Sequence, residues 1–264
     1  MLAKLTEIEI RPDSVFSNDA LEREDSIRLL TSLVASTRQP FVLSIEAPWG
    51  FGKTTFIKLW KMHLESQNHV CLYFNAWEND FVDDPLIAFL GEMHRALDED
   101  FKKLQETNSI RKNWENVKRI GGGVLRKTLP LAIQIATHGL LSQKFVKEAS
   151  EALADSDEKL AEFASKLAEE RLEKYQSEKE GIKEFRKCLE TLAAELANAG
   201  KKKPPLIFFV DELDRCRPDF AVALLERIKH LFNVKNVVFV LSIDRLQLNQ
   251  SVKTLYGIDT KPDG

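Results

Sequence analysis

Cysteine is scarce. Cys71, Cys188 and Cys216 are odd in number, far apart and form no CxxC pair, so neither a disulfide framework nor a zinc site is suggested. Charge of one sign is missing too: 38 Lys and Arg stand against 41 Asp and Glu. The net charge of -3 offers no global attraction to nucleic acid or anionic membrane. The opening "MLAKLTEIEIRPDSVF" lacks the continuous apolar stretch of a signal peptide, so a cytoplasmic protein is expected.

Long apolar runs are absent as well. The uncharged run 128–143 contains Pro130, Gln134 and His138, and a spanning helix needs about 20 predominantly apolar residues. It is read as a core helix or docking surface, and membrane association is not expected. Glycine and proline number 11 and 9, far from a collagenous or low-complexity composition. His63, His69, His94, His138 and His230 fall in no metal-ligand spacing. "KKKPP" reads as a solvated loop, so no nucleic-acid partner is indicated.

What is present is an ordinary globular mixture, 44% hydrophobic and 30% charged, long enough for one large α/β domain with an insertion. The stretch "LTEIEI" alternates as an edge strand would. "DALEREDSIRLLTSLVAS", from Asp19, has a helical apolar period. Phe41 to Ile45 read as a buried strand, followed by a loop and a helix from Thr54 to Gln67. A second strand, Val70 to Ala76, leads to a helix that starts at Pro85. Pro205 to Val210 and Asn236 to Ser242 supply two more strands, with a helix from Pro218 to Phe232 between them. This rhythm predicts a mostly parallel sheet with crossover helices.

The chain divides into 1–106, the first half of the domain, 107–203, an all-helical insertion, and 204–264, the second half. Within the insertion, one apolar set (Leu160, Phe163, Leu167, Leu172, Tyr175) and another (Ile182, Phe185, Leu189, Leu192, Leu196) recur at helical spacing. Two amphipathic helices packed as a hairpin are expected.

The chemistry lies in "APWGFGKTT". The pattern G-x-x-x-x-G-K-[ST] cradles phosphates because successive backbone N–H groups and the following helix N-terminus face the anion. Ala47 stands in the first position and Pro48, Trp49, Gly50, Phe51, Gly52, Lys53 and Thr54 fill the rest, with Thr55 next. Glycine is essential only where φ is positive or the backbone must approach closely, so Ala47 is compatible if its φ is negative. Lys53 would reach the phosphates, and the Thr54 hydroxyl would bind Mg²⁺. Downstream, "LIFFVDELDR" is an apolar strand ending in Asp211, where a metal-binding carboxylate belongs, followed by Glu212, placed to polarise water. Asp214 is read as a structural partner of Arg215 or Arg217.

"APWGFGKTT", "FNAWEND", "FFVDELDRCRPDFAVALLERIKHLF" and "VVFVLSIDRLQLNQSVKTLYG", in that order around a long helical insertion, resemble the KAP family of P-loop NTPases over about Asp19 to Gly257. The resemblance implies a three-layer α/β P-loop NTPase domain of the additional-strand type, with the insertion between the second strand and the strand ending in Asp211. It implies ATP as ligand and Mg²⁺ on Thr54 and Asp211. Lys53 and Glu212 would be catalytic, with Asp244 and Arg245 on the γ-phosphate side. Asn75 and Glu78 are placed near the same region, and Trp77 is read as a packing anchor.

The family typically carries membrane helices in this insertion, although soluble members exist. Many members are encoded on mobile elements or prophages, and several are linked to phage defence. An ATPase driving a conformational or assembly switch in antiphage defence is therefore expected, acting with a protein partner or as a homo-oligomer. The alternative is a scaffold that binds ATP with little hydrolysis. Family members usually continue beyond the equivalent of "LYGIDTKPDG" into another strand and a helical region that can supply a further arginine, which would here be absent or supplied by another chain.

Overall fold

The structure is a computed structural model that describes residues 10–101, 108–127, 157–199 and 202–257. Four strands, β1 (Phe41–Glu46), β2 (His69–Asn75), β3 (Lys203–Asp211) and β4 (Val237–Ile243), form one parallel sheet in the order β1-β4-β3-β2. Seven α-helices accompany it among the described residues: α1 (Glu24–Ser36), α2 (Lys53–Ser66), α3 (Pro85–Phe101), α4 (Asn108–Lys127), α5 (Asp157–Ala199), α6 (Pro218–Leu231) and α7 (Arg245–Tyr256). The chain falls into two compact units, Met1–Lys118 with Arg186–Gly264, and Arg119–Phe185. The sheet and the candidate site belong to the first.

Strand position explains strand composition. All seven residues of β4 are buried, as a central parallel strand covered on both faces requires, whereas edge strand β1 alternates half-buried and exposed residues. On one face, Ile207 and Phe209 of β3 and Val238 and Val240 of β4 pack with Ile27 and Val34 of α1 and Ile57, Trp60 and Leu64 of α2. The Trp60 indole N–H donates to Thr31 Oγ1 at 3.0 Å, tying α2 to α1. On the other face Phe89 of α3 meets Phe74, Phe208, Phe232 and Phe239, with ring centroids 5.0 to 5.9 Å apart. Such aromatic pairs contribute about 0.5–1.5 kcal/mol each beyond their burial.

Two sequence expectations are corrected. The helix expected from Asp19 begins at Glu24, because Asp19 Oδ2 accepts the Arg23 backbone N–H at 2.5 Å and Glu22 sits at φ 50°. Those two features make a turn. The two apolar sets read as hairpin helices lie on one continuous helix, α5, of 43 residues. No proline interrupts it, and Gly181, at its middle, is tolerated in a helix interior. The strand β4 also feeds a helix, α7, that the sequence reading did not predict. Its N-cap is Asp244, whose side chain accepts from the N–H groups of Leu246 and Gln247.

Leu5 to Glu9 of "LTEIEI" and the uncharged run 128–143 lie outside the described residues. No helix among the described residues is long and apolar enough to cross a membrane.

Candidate functional site

The site forms at the carboxyl ends of β1, β3 and β4, where the loop after β1 turns into α2. The Ala47 N–H donates to the carbonyl oxygen of Ile243 at 3.3 Å, anchoring the loop's first residue to the end of β4. Gly50 and Gly52 have φ of 84° and 78°, a left-handed backbone that glycine adopts without strain. Ala47 is not among the residues with positive φ, so the position where the pattern opens with glycine imposes no conformational need for it. Gly52 is the N-cap of α2, and no side chain caps its free N–H groups. They remain available to an anion.

Lys53 curls back over its own loop, donating from Nζ to the carbonyl oxygens of Ala47 at 2.6 Å and Pro48 at 3.3 Å. Facing it, Asp211 ends β3 with 1% exposure. One of its oxygens accepts from the Tyr73 hydroxyl at 3.0 Å and the other from the Glu212 N–H at 2.9 Å. Burial, and then the Asp211 carboxylate, push the Tyr73 phenol well above its ordinary range, so it stays a donor.

Glu212 holds φ 58°, ψ 27°, a left-handed conformation that costs a non-glycine residue about 1–2 kcal/mol. Strain of this kind concentrates at functional sites. Its two carboxylate oxygens are both engaged, Oε2 by Asn75 Nδ2 at 3.1 Å and Oε1 by Arg215 Nη1 at 2.9 Å. The ion pair expected for Asp214 is thus made by Glu212, and Asp214 accepts the Trp49 indole N–H. The Arg215 guanidinium lies over both the Trp49 and the Trp77 ring, 5.7 Å from each centroid. Trp77 is 50% exposed, so it is not the buried packing anchor expected from the sequence.

Trp49, Gly50, Gly52, Lys53, Thr54, Asp211, Glu212, Asp214 and Arg215 line one pocket of about 190 Å³. Pro48, Phe51 and Thr55 belong to the same loop and helix start but do not line it, and Phe51 is 71% exposed. Asp244 and Arg245 are not brought to it either: Asp244 caps α7 and Arg245 is exposed.

The sequence reading passed over Ser242. It pairs with Ile45 of β1 and lies one step beyond the Val210–Leu241 pair, which places it beside Asp211. Its alternation with Val238 and Val240 puts it on the face of α2, and its hydroxyl is fully buried without a hydrogen-bond partner. The available signal was a lone hydroxyl in the otherwise apolar run "VVFVLSI". Among the described residues no group of three or more His, Cys, Asp or Glu could hold a metal by itself.

A left-handed glycine loop between a parallel strand and a helix, with a lysine and a strand-end aspartate converging on it, is the arrangement of a P-loop domain. The model of the KAP family P-loop domain matches residues 25–261. The chain belongs to the KAP family. An uncharacterized protein of Methanocaldococcus jannaschii is 29% identical to it over 183 residues, covering 65% of this chain and 88% of that protein. Membership of the KAP P-loop family points to nucleotide binding.

Proposed function

We propose that this KAP domain binds Mg²⁺-ATP at the pocket between the phosphate loop and the Asp211–Glu212 turn, and hydrolyses it to ADP and phosphate. The observation that carries the reading is the convergence of Lys53, Thr54, Asp211 and Glu212 on one pocket. At about 190 Å³ it is smaller than the ~300–1,000 Å³ of whole small-molecule sites, which suits the phosphate end of a nucleotide. The N–H groups at the start of α2 would bind phosphate oxygens, and Lys53 would exchange the Ala47 and Pro48 carbonyls for them. The Thr54 hydroxyl and the Asp211 carboxylate are hard oxygen donors of the kind that hold Mg²⁺ with few protein ligands. When bound, Mg²⁺ supplies positive charge to the phosphate oxygens.

Glu212 would orient the attacking water and accept its proton at a carboxylate oxygen. The hydrolysis cycle would switch conformation or assembly with a protein partner or a second copy. Antiphage defence as the setting rests on the family resemblance alone.

The second reading, a scaffold that binds ATP with little hydrolysis, is favoured by one observation: Arg215 and Asn75 occupy both Glu212 oxygens. Calorimetric titration with Mg²⁺-ATP tests the common part. Wild-type protein should bind, and Lys53→Ala should weaken binding by ~100-fold or more, the loss of a charge-assisted contact. Equal affinity in the variant would remove the pocket from consideration. Brisk phosphate release by the wild type would decide against the scaffold.

A further inference from the structure

The contacts of Arg215 connect the phosphate loop to Glu212. Trp49 lies inside the loop, immediately before Gly50, and its indole N–H donates to Asp214 Oδ2. The Arg215 guanidinium lies over the Trp49 ring and over that of Trp77, after β2. Both tryptophans are about half exposed, at 49% and 50%. Two half-exposed indoles around a guanidinium do little as core packing. What they accomplish is to fix where Arg215 points, and it points to Glu212 Oε1.

A carboxylate whose two oxygens accept from an amide and a guanidinium is held in place and turned from water. Each tie on Arg215 is weak singly, an exposed cation–π contact or a partly exposed ion pair. Binding of a ligand in the loop can therefore break the set. A loop rearranged around phosphates moves Trp49, and Trp49 is attached both to the Arg215 ring stack and to Asp214, the residue before it.

We propose that Arg215 is a positioning residue that restrains Glu212 until the phosphate loop is occupied, with Trp49 as the reporter of occupancy and Trp77 as the fixed side of the clamp. The inference rests on the reading of the pocket as a nucleotide site and adds its regulation. Phosphate release at saturating Mg²⁺-ATP, with the dissociation constant measured separately, tests it in wild type, Arg215→Ala, Trp77→Ala and the double variant. Trp77 does not line the pocket, so its replacement opens the clamp without touching the ligand.

Trp77→Ala should raise the catalytic rate at least threefold at unchanged affinity. Arg215→Ala should raise it as much or more, and the double variant should equal Arg215→Ala alone. Mg²⁺-ATP should also change the tryptophan fluorescence of the wild type, a change lost in Trp49→Phe. A gain in rate is not the result of a merely structural defect.

A fall in rate, or no change, in both Arg215→Ala and Trp77→Ala would overturn the restraint, as would additive gains in the double variant. If ATP binds wild type and Lys53→Ala alike, the nucleotide reading of the pocket fails as well. If binding depends on Lys53 but the rates do not respond, only the restraint fails.

Discussion

The Lys53 ammonium and the Ala47 carbonyl oxygen lie 2.6 Å apart, at opposite ends of the same loop. The first residue of the loop thus contributes a carbonyl to the lysine and an N–H to Ile243, and both are main-chain groups. Its side chain is irrelevant to either contact, and its φ is not positive. Ala47→Gly should therefore leave nucleotide affinity within about twofold and lower stability by no more than about 1 kcal/mol through unfolded-state entropy. Calorimetric titration and thermal melts check both.

Gly50 and Gly52 should behave differently from Ala47 and from each other. Each has positive φ, so alanine at either costs about 1–2 kcal/mol in backbone strain. A Cβ at Gly50 would meet nothing within 4 Å, whereas one at Gly52 would lie 3.0 Å from Arg23 Nη2. Gly52→Ala should lower the melting temperature more than Gly50→Ala does. Equal shifts would show that Arg23 gives way freely.

Tyr73→Phe removes the hydroxyl that donates to Asp211 and leaves a buried carboxylate oxygen unpartnered. Such a loss costs about 1–3 kcal/mol, and it frees Asp211 to rotate. The Mg²⁺ concentration for half-maximal ATP binding should rise severalfold, with the affinity for ATP at saturating Mg²⁺ little changed. An unchanged Mg²⁺ requirement would detach Tyr73 from the metal site.

Much of this was legible in the sequence because it follows from short-range patterns. The apolar runs Phe41 to Ile45, Val70 to Ala76, Pro205 to Val210 and Asn236 to Ser242 correspond to β1, β2, β3 and β4, with ends displaced by a residue or two. Lys53, Thr54, Asp211 and Glu212 come together because a strand end and a helix start carry them to one place. What was illegible depends on pairings distant in the chain. Nothing local in "DELDRCRP" says that Glu212, and not Asp214, takes Arg215, because that choice follows from the left-handed backbone at Glu212 and from Trp49 claiming Asp214 across 165 residues. Ser242 was hidden for the same reason: its burial beside Asp211 is a matter of strand order.

His69, at the start of β2, is 3% exposed, and burial pushes its pKa below the ordinary 6.5. His63 shifts in the same direction, also chiefly through burial. When pH falls through 6.5 the unfolded chain takes up these protons and the folded chain does not, so stability is present above that pH and lost below it. Thermal melts from about pH 7.5 down to about 5.5 should show a falling melting temperature, and His69→Gln should show a shallower fall. A variant with the wild-type slope would assign the acid sensitivity elsewhere.

The central claim is that Lys53 and Glu212 act on one bound nucleotide. Phosphate release from purified protein with Mg²⁺-ATP, beside Lys53→Ala and Glu212→Gln, tests it most directly. The account predicts turnover by the wild type and a fall of about 100-fold or more in both variants, with ATP still bound by Glu212→Gln. Wild-type turnover in both variants would contradict it.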